Sequence, residues 1–270
     1  MARFDGKIAL VTGSTQGLGE AVARRFAAEG VAGIVVCGRN SDRGEAVAAS
    51  LAEMGSEAIF IPVELGDLDR ITALVAAADA RFGRIDILVN SGASTDRGTI
   101  LDTTPELWNK IIDVNLRAPF FLIQAVARIM RRERVDGSIV NIGSVAAHGS
   151  VPMLAPYAIS KGALLPLTRN AAFALSRDRI RINTLNLGWM DTPAEDVVQR
   201  EYHGAPDDWL VAAEAGMPFG RILKPDEVAG AVAFLASEDS GMMTGAVIDF
   251  DQSVTGAGLR PILPPEEIPQ

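Results

Sequence analysis

Short apolar runs alternate with longer amphipathic stretches along almost the whole chain, and this rhythm restricts the possible folds more than any other feature of the sequence. The runs predict strands at Lys7–Thr12, Gly33–Cys37, Ala58–Val63, Ile87–Val89, Ser138–Ile142, Arg181–Leu187 and Ala246–Phe250. Helical spacing of apolar residues predicts helices over Leu18–Glu29, Arg43–Met54, Leu68–Phe82, Pro105–Met130, Tyr157–Ser176 and Pro225–Ala236. Such a succession builds right-handed βαβ units on a parallel sheet. Helices cover both faces of such a sheet, so its strands must be apolar throughout, and a chain that is 48% hydrophobic can fill that core. With 270 residues and no internal repeat or low-complexity linker, one domain over residues 1–270 is expected. Two stretches break the rhythm. Residues 189–219 are polar and carry Pro193 and Pro206, which predicts a lid over one end of the sheet. Residues 261–270 hold four prolines and are expected to run extended.

Charge and cysteine content narrow the function. A net charge of −9 and the lack of a long basic run argue against a nucleic-acid partner. The one cluster of base, Arg128, Arg131, Arg132 and Arg134, reads as the solvated end of a helix. Cys37 is the single cysteine, so no intrachain disulfide forms, in keeping with a reducing compartment. No signal-peptide core opens the chain, and the longest uncharged stretch, Gly137 to Ser160, is broken by Gly, Pro, Ser and Asn. A cytoplasmic protein with no membrane partner is the expectation. With one cysteine and two separated histidines, no zinc set is expected.

Two constellations carry chemistry. The first strand runs into Gly13-Ser14-Thr15-Gln16-Gly17-Leu18-Gly19, and a helical pattern starts at once. Glycines there let the backbone approach a pyrophosphate, and the helix start offers free N–H groups and the positive end of its dipole. The second is Tyr157-Ala-Ile-Ser-Lys161, with Ser144 thirteen residues before the tyrosine. A spacing of four puts the phenol and the amine on one helix face. A free phenol, with a pKa near ~10, is a poor base at neutral pH. A neighbouring ammonium, and any cationic ligand bound beside it, should both pull that value down. Ser144 closes an apolar strand, so its hydroxyl should stand at the sheet's carboxyl end, where open α/β sheets bind ligands.

The Gly-x-x-x-Gly-x-Gly turn behind Thr12, together with Ser144, Tyr157 and Lys161, resembles the short-chain dehydrogenase/reductase family, and further matches extend over about residues 5 to 252. The resemblance implies a single-domain, Rossmann-type, doubly wound parallel sheet of about seven strands with helices on both faces. It implies hydride transfer between NAD(P) and an alcohol/carbonyl pair, with Asn115, Ser144, Tyr157 and Lys161 as the catalytic tetrad. Asn115 would kink its helix and hold a water that relays protons to Lys161, and Lys161 would also bind the nicotinamide ribose. Asn90, Ser91 and Gly92 stand where the family carries Asn-Asn-Ala-Gly. Glu64 and Leu65 would face the adenine, while Gly188 and Thr192 would meet the nicotinamide. Arg39, beside Asn40, occupies the place where an acidic residue would select NAD. A guanidinium there suits a 2′-phosphate, so NADP is favoured and NAD stays open. A homotetramer through the fourth and fifth helices is likewise implied.

The substrate end is less legible. His148, Trp189 and Met190 join Ser144 and Tyr157 as candidate substrate contacts, although each could serve packing or the surface instead. A polar lid with Trp and carboxylates leans toward a sugar or polyol, while Arg97 could address an anionic substrate. Two other functions remain open: a nucleotide sensor without catalysis, and an epimerase or dehydratase with no net coenzyme turnover.

Overall fold

The computed structural model describes residues 2–253; the extended tail expected over 261–270 lies outside them. Seven strands form one sheet in the order β3-β2-β1-β4-β5-β6-β7. They are β1 (Ile8–Thr12), β2 (Gly33–Gly38), β3 (Glu57–Pro62), β4 (Ile87–Asn90), β5 (Ser138–Ser144), β6 (Arg181–Leu187) and β7 (Val247–Phe250). Every pairing is parallel. Strand order reverses between β1 and β4, so successive connections leave that point in opposite directions and open a crevice above the strands' carboxyl ends.

Alternation along β1 shows why both faces need cover. Ala9 and Val11 point into one apolar cluster and Leu10 into the other, and all three are fully buried. The first cluster is closed by α1 (Gly17–Ala28), α2 (Ser41–Glu53) and α9 (Pro225–Ala236), through residues such as Phe26, Leu51 and Val232. The second is closed by α3 (Leu68–Phe82), α5 (Ala118–Glu133) and α6 (Ala155–Leu175), through Leu74, Leu122 and Ala172. At roughly 25 cal/mol per Å² of apolar surface removed from water, these two layers dominate the stability.

The single helix expected over Pro105–Met130 is divided. It forms α4 (Pro105–Ile112), a π-helical turn over Asp113–Arg117, and α5. Pro119 supplies the physical reason. It has no N–H to give the carbonyl four residues back, that of Asn115, and its ring crowds that carbonyl. The ladder widens, and the Ala118 N–H bonds instead to the Asp113 carbonyl, five residues earlier. The polar stretch 189–219 also gains structure, folding into α7 (Pro193–His203) and α8 (Trp209–Ala215). Trp189 and Trp209 stack there with ring centroids 5.8 Å apart. Lys224 ties the lid to the body through Asp191 at 3.0 Å and Glu214 at 2.8 Å.

A chain of polar side chains crosses the otherwise apolar interior. Asn90 Nδ2 donates to Asn141 Oδ1 at 2.8 Å, Asn141 Nδ2 donates to Thr168 Oγ1 at 3.0 Å, and the hydroxyls of Thr168 and Thr184 meet at 2.6 Å. The chain pins β4, β5, α6 and β6 to one another. Thr168→Val, which keeps the volume and removes the hydroxyl, is expected to cost about 1–3 kcal/mol because Asn141 and Thr184 lose their partner in the dry interior. A lower urea midpoint at unchanged m-value checks this; an unchanged midpoint would show that the chain carries no stability.

Candidate active site

A cleft of about 1520 Å³ opens above the carboxyl ends of the strands. One wall is the glycine turn. Gly13 adopts φ +65, and a Cβ there would lie 2.7 Å from the Cα of Gly92. A Cβ on Gly19 would lie 2.3 Å from the Gly13 carbonyl oxygen. The β1 turn and the loop after β4 therefore touch backbone to backbone, with no room for side chains. Thr12 locks the contact: its hydroxyl accepts from the N–H groups of Ser91 and Gly92, both at 3.0 Å. Ser14 is fully buried, donates to the Val11 carbonyl at 2.6 Å and accepts from the Cys37 N–H at 3.0 Å. It braces the turn against β2 and does not line the cleft. Asn90 is likewise interior, part of the polar chain across the sheet. The remaining residues singled out for the coenzyme, Thr15 to Gly19, Arg39, Asn40, Glu64, Leu65, Ser91, Gly92, Gly188 and Thr192, line the cleft with Gly13.

This wall fits a dinucleotide. The cradle made by Gly13, Gly19 and Gly92 gives close backbone approach, and the start of α1 directs free N–H groups toward it. Arg39 and Arg43 line the same end, both exposed, and neither forms an ion pair among the described residues. Sequence reasoning passed over Arg43. Its signal was its place in the first turn of α2, where the Asn40 side chain caps its N–H at 2.8 Å.

The other wall holds the tyrosine. Tyr157 and Lys161 sit on α6, with the Lys161 nitrogen 5.8 Å from the Tyr157 ring centroid. Ser144, last residue of β5, lines the cleft with the phenol, and its hydroxyl accepts from the Ala146 N–H at 3.2 Å. Lys161 is buried and donates to the Ile142 carbonyl at 2.8 Å. Burial pushes its amine down to about 8. Without coenzyme the phenol is governed by burial. Burial raises it above its ordinary value, and the lowering effects of Ser144 and the Arg97 charge do not offset this, while the Glu195 charge raises it further. Without coenzyme, then, Tyr157 is held as the neutral acid.

The Asn115 side chain forms no direct hydrogen bond with Lys161. It is buried in the π turn, where its Oδ1 accepts from the Ser94 N–H at 2.7 Å. Its Nδ2 donates to the Ser94 carbonyl at 2.9 Å and to Ser160 Oγ at 3.0 Å. Ser160 in turn donates to the Tyr157 carbonyl at 2.7 Å. Asn115 thus staples the loop after β4 to the helix of the tyrosine, a role visible only in three dimensions.

Of the substrate candidates, Trp189 and Met190 line the cleft and His148 does not. His148 lies 2.9 Å from Asp249, on a short turn after β5. The Trp189 indole donates to Glu195 at 2.7 Å, and Thr192 caps the N-terminus of α7 by accepting from the Glu195 N–H at 3.1 Å. Among the described residues no group of three or more His, Cys, Asp or Glu could hold a metal ion, and no helix is long and apolar enough to cross a membrane.

Comparison with known proteins agrees with this geometry. Residues 13–255 match the family model described as enoyl-(acyl carrier protein) reductase. The chain is 38% identical to dehydrogenase/reductase SDR family member 4 of Bos taurus, covering 91% of this chain and 86% of that one. It is 33% identical to galactitol 2-dehydrogenase of Agrobacterium fabrum, covering 92% and 97%. Among solved structures, an actinorhodin polyketide ketoreductase variant with NADPH superposes with a TM-score of 0.85 at 31% identity, over 93% of this chain and 98% of that one. With nearly its full described length matched, this chain belongs to the short-chain dehydrogenase/reductase family and is an NAD(P)-dependent oxidoreductase of alcohols and carbonyls.

Proposed function

We propose that the protein interconverts a secondary alcohol and its carbonyl with NADP as coenzyme, on a small hydroxylated substrate of the sugar or polyol class. The observation that carries this reading is that Ser144, Tyr157 and Lys161 share one cleft whose opposite wall is a side-chain-free dinucleotide cradle. When bound, the nicotinamide supplies or accepts the hydride. Ser144 holds and polarises the substrate oxygen, and Tyr157 gives that oxygen its proton in reduction or takes it in oxidation. Lys161 binds the nicotinamide ribose and, while charged, favours the phenolate left behind. Asn115 keeps the loop and helix that frame the site in register.

The NADP preference rests on two unpaired arginines at the β2–α2 corner, since guanidinium groups match a 2′-phosphate. The polyol lean rests on the polar lid, and the galactitol dehydrogenase among the relatives supports it. The lone buried thiol Cys37 is in keeping with a cytoplasmic setting. The exposed Phe120 and Phe121 on α5 support assembly through that helix into a homo-oligomer, with a tetramer proposed from the family resemblance.

An absorbance screen of both coenzymes against polyols, sugars and ketones tests the reaction; no net change of reduced nicotinamide with any substrate would overturn it. Tyr157→Phe is expected to lower kcat about 10²- to 10⁴-fold while coenzyme still binds; equal activity in the variant would remove Tyr157 from the mechanism. Arg39→Ala with Arg43→Ala should raise the Kd for NADPH and leave that for NADH nearly unchanged. Equal losses for both would assign the arginines to adenine rather than phosphate. The pH profile has a sign. In reduction Tyr157 must carry its proton and Lys161 its charge, and Lys161 loses charge as pH rises through about 8. Reduction measured as kcat/KM should therefore decline above about pH 8, whereas oxidation gains phenolate as pH rises but loses the Lys161 charge that favours it, so its rise with pH should flatten over the same range.

A further inference from the structure

Arg97 stands in the same cleft, and nothing in the mechanism above uses it. The other cations along the cleft are already engaged. Lys110 pairs with Asp96 at 3.0 Å, Lys161 is bound to the Ile142 carbonyl, and Arg39 and Arg43 stand at the coenzyme's 2′ corner. Arg97 forms no ion pair among the described residues. Its Nη1 donates to the Thr95 carbonyl of its own loop, and its Nε is sealed from solvent with no hydrogen-bond partner. Its Nη2 has no hydrogen-bond partner among the described residues, and a ligand carboxylate in the cleft is the group that would pair with that end of the guanidinium.

The backbone around Arg97 is held on both sides. Three residues before it, Ser94 is gripped by two hydrogen bonds from Asn115. One residue after it, the Gly98 N–H donates to the Met153 carbonyl at 2.9 Å, and the Gly98 carbonyl accepts from the Ala155 N–H at 3.1 Å. Ala155 begins the helix that carries Tyr157. The backbone of Arg97 is thus fixed relative to the helix of Tyr157, and the arginine's charge acts on the phenol's acidity.

The same cleft also holds an acid. Glu195, on the lid helix α7, also acts on the phenol's acidity. Both the Trp189 indole and the Gln199 amide, each at 2.7 Å, donate to its Oε1, which leaves Oε2 for a substrate hydroxyl. A substrate lying between Arg97 and Glu195 meets a cation at one end and a hydroxyl acceptor at the other. An anionic end is repelled by Glu195 and drawn to Arg97, so the electrostatics allow one orientation of the chain.

We infer that Arg97 is the carboxylate-recognising residue of the substrate site and that the substrate is a sugar acid, a hydroxylated carboxylate whose alcohol or carbonyl carbon lies at Tyr157. This rests on the oxidoreductase reading and narrows its substrate class. The redox chemistry is unchanged. The secondary alcohol loses hydride to the oxidised coenzyme and its hydroxyl proton to Tyr157, giving the ketone with the carboxylate intact.

The test sets galactonate and gluconate against the matching neutral polyols, galactitol and glucitol. Binding is read by calorimetry with oxidised NADP present, and turnover by nicotinamide absorbance, for the wild type, Arg97→Gln and Arg97→Lys. The wild type should bind the acids more tightly than the polyols. In Arg97→Gln the ratio of kcat/KM for acid over polyol should fall about 10- to 100-fold, mostly through KM, as expected for a lost charge-assisted hydrogen bond. Arg97→Lys should recover part of that ratio. Acids that bind no better than polyols in the wild type overturn the inference. So does an Arg97→Gln variant that slows acid and polyol alike, which would make Arg97 a residue acting only on the phenol. Failure of the oxidoreductase reading looks different: no coenzyme turnover with any compound, while calorimetry still shows whether the acids are preferred.

Discussion

The structure depends on one close approach. Where strand order reverses, the turn after β1 and the loop after β4 meet backbone to backbone, and Gly13 and Gly92 leave nothing between them. Thr12 fastens that contact with one hydroxyl that serves two N–H groups. A crevice at such a reversal is where an open α/β sheet can admit a ligand to its strand ends. Removing side chains from that point lets a phosphate reach the backbone and the start of α1. The coenzyme wall of the site descends from this geometry.

The catalytic wall follows a different physical logic. There the fold buries ionisable groups that would be more stable in water. Lys161 is buried and pushed down to about 8, and the phenol of Tyr157 is pushed up. Desolvation dominates both shifts, so the site favours neutral forms until ligands change its charge. Hydrogen bonds hold these groups in place. Lys161 is anchored to a strand carbonyl, and Asn115 and Ser160 link the loop after β4 to the helix of the tyrosine. Stability is sacrificed where chemistry needs it, and the apolar layers on either side supply the surplus.

Much of this was legible in the linear chain, for reasons that are themselves local. Apolar runs announce strands because both faces of a parallel sheet are buried, and the glycine turn announces itself because few other backbones can bend so tightly. Tyr157, Lys161 and Ser144 could be read because helix periodicity and strand ends fix their directions. The π turn at Asn115 could have been read from Pro119, four residues on, since proline removes the bond that an α-helix needs there. The helices α7 and α8 within the lid were not legible, because they are held by Trp189 on Trp209 and by Lys224, contacts between distant residues.

The sequence by itself determined the alternation of elements, the coenzyme turn and the identity of the groups that move protons. Each of these depends on neighbours within one helical turn or one strand. Tertiary structure alone decided which polar residues face the cleft. It drew Ser14, Asn90 and Asn115 inward as braces, turned His148 to Asp249, and set Arg97 and Glu195 where both charges reach Tyr157. Desolvation and Coulomb interaction depend on distance in space rather than along the chain, so no local pattern carries them.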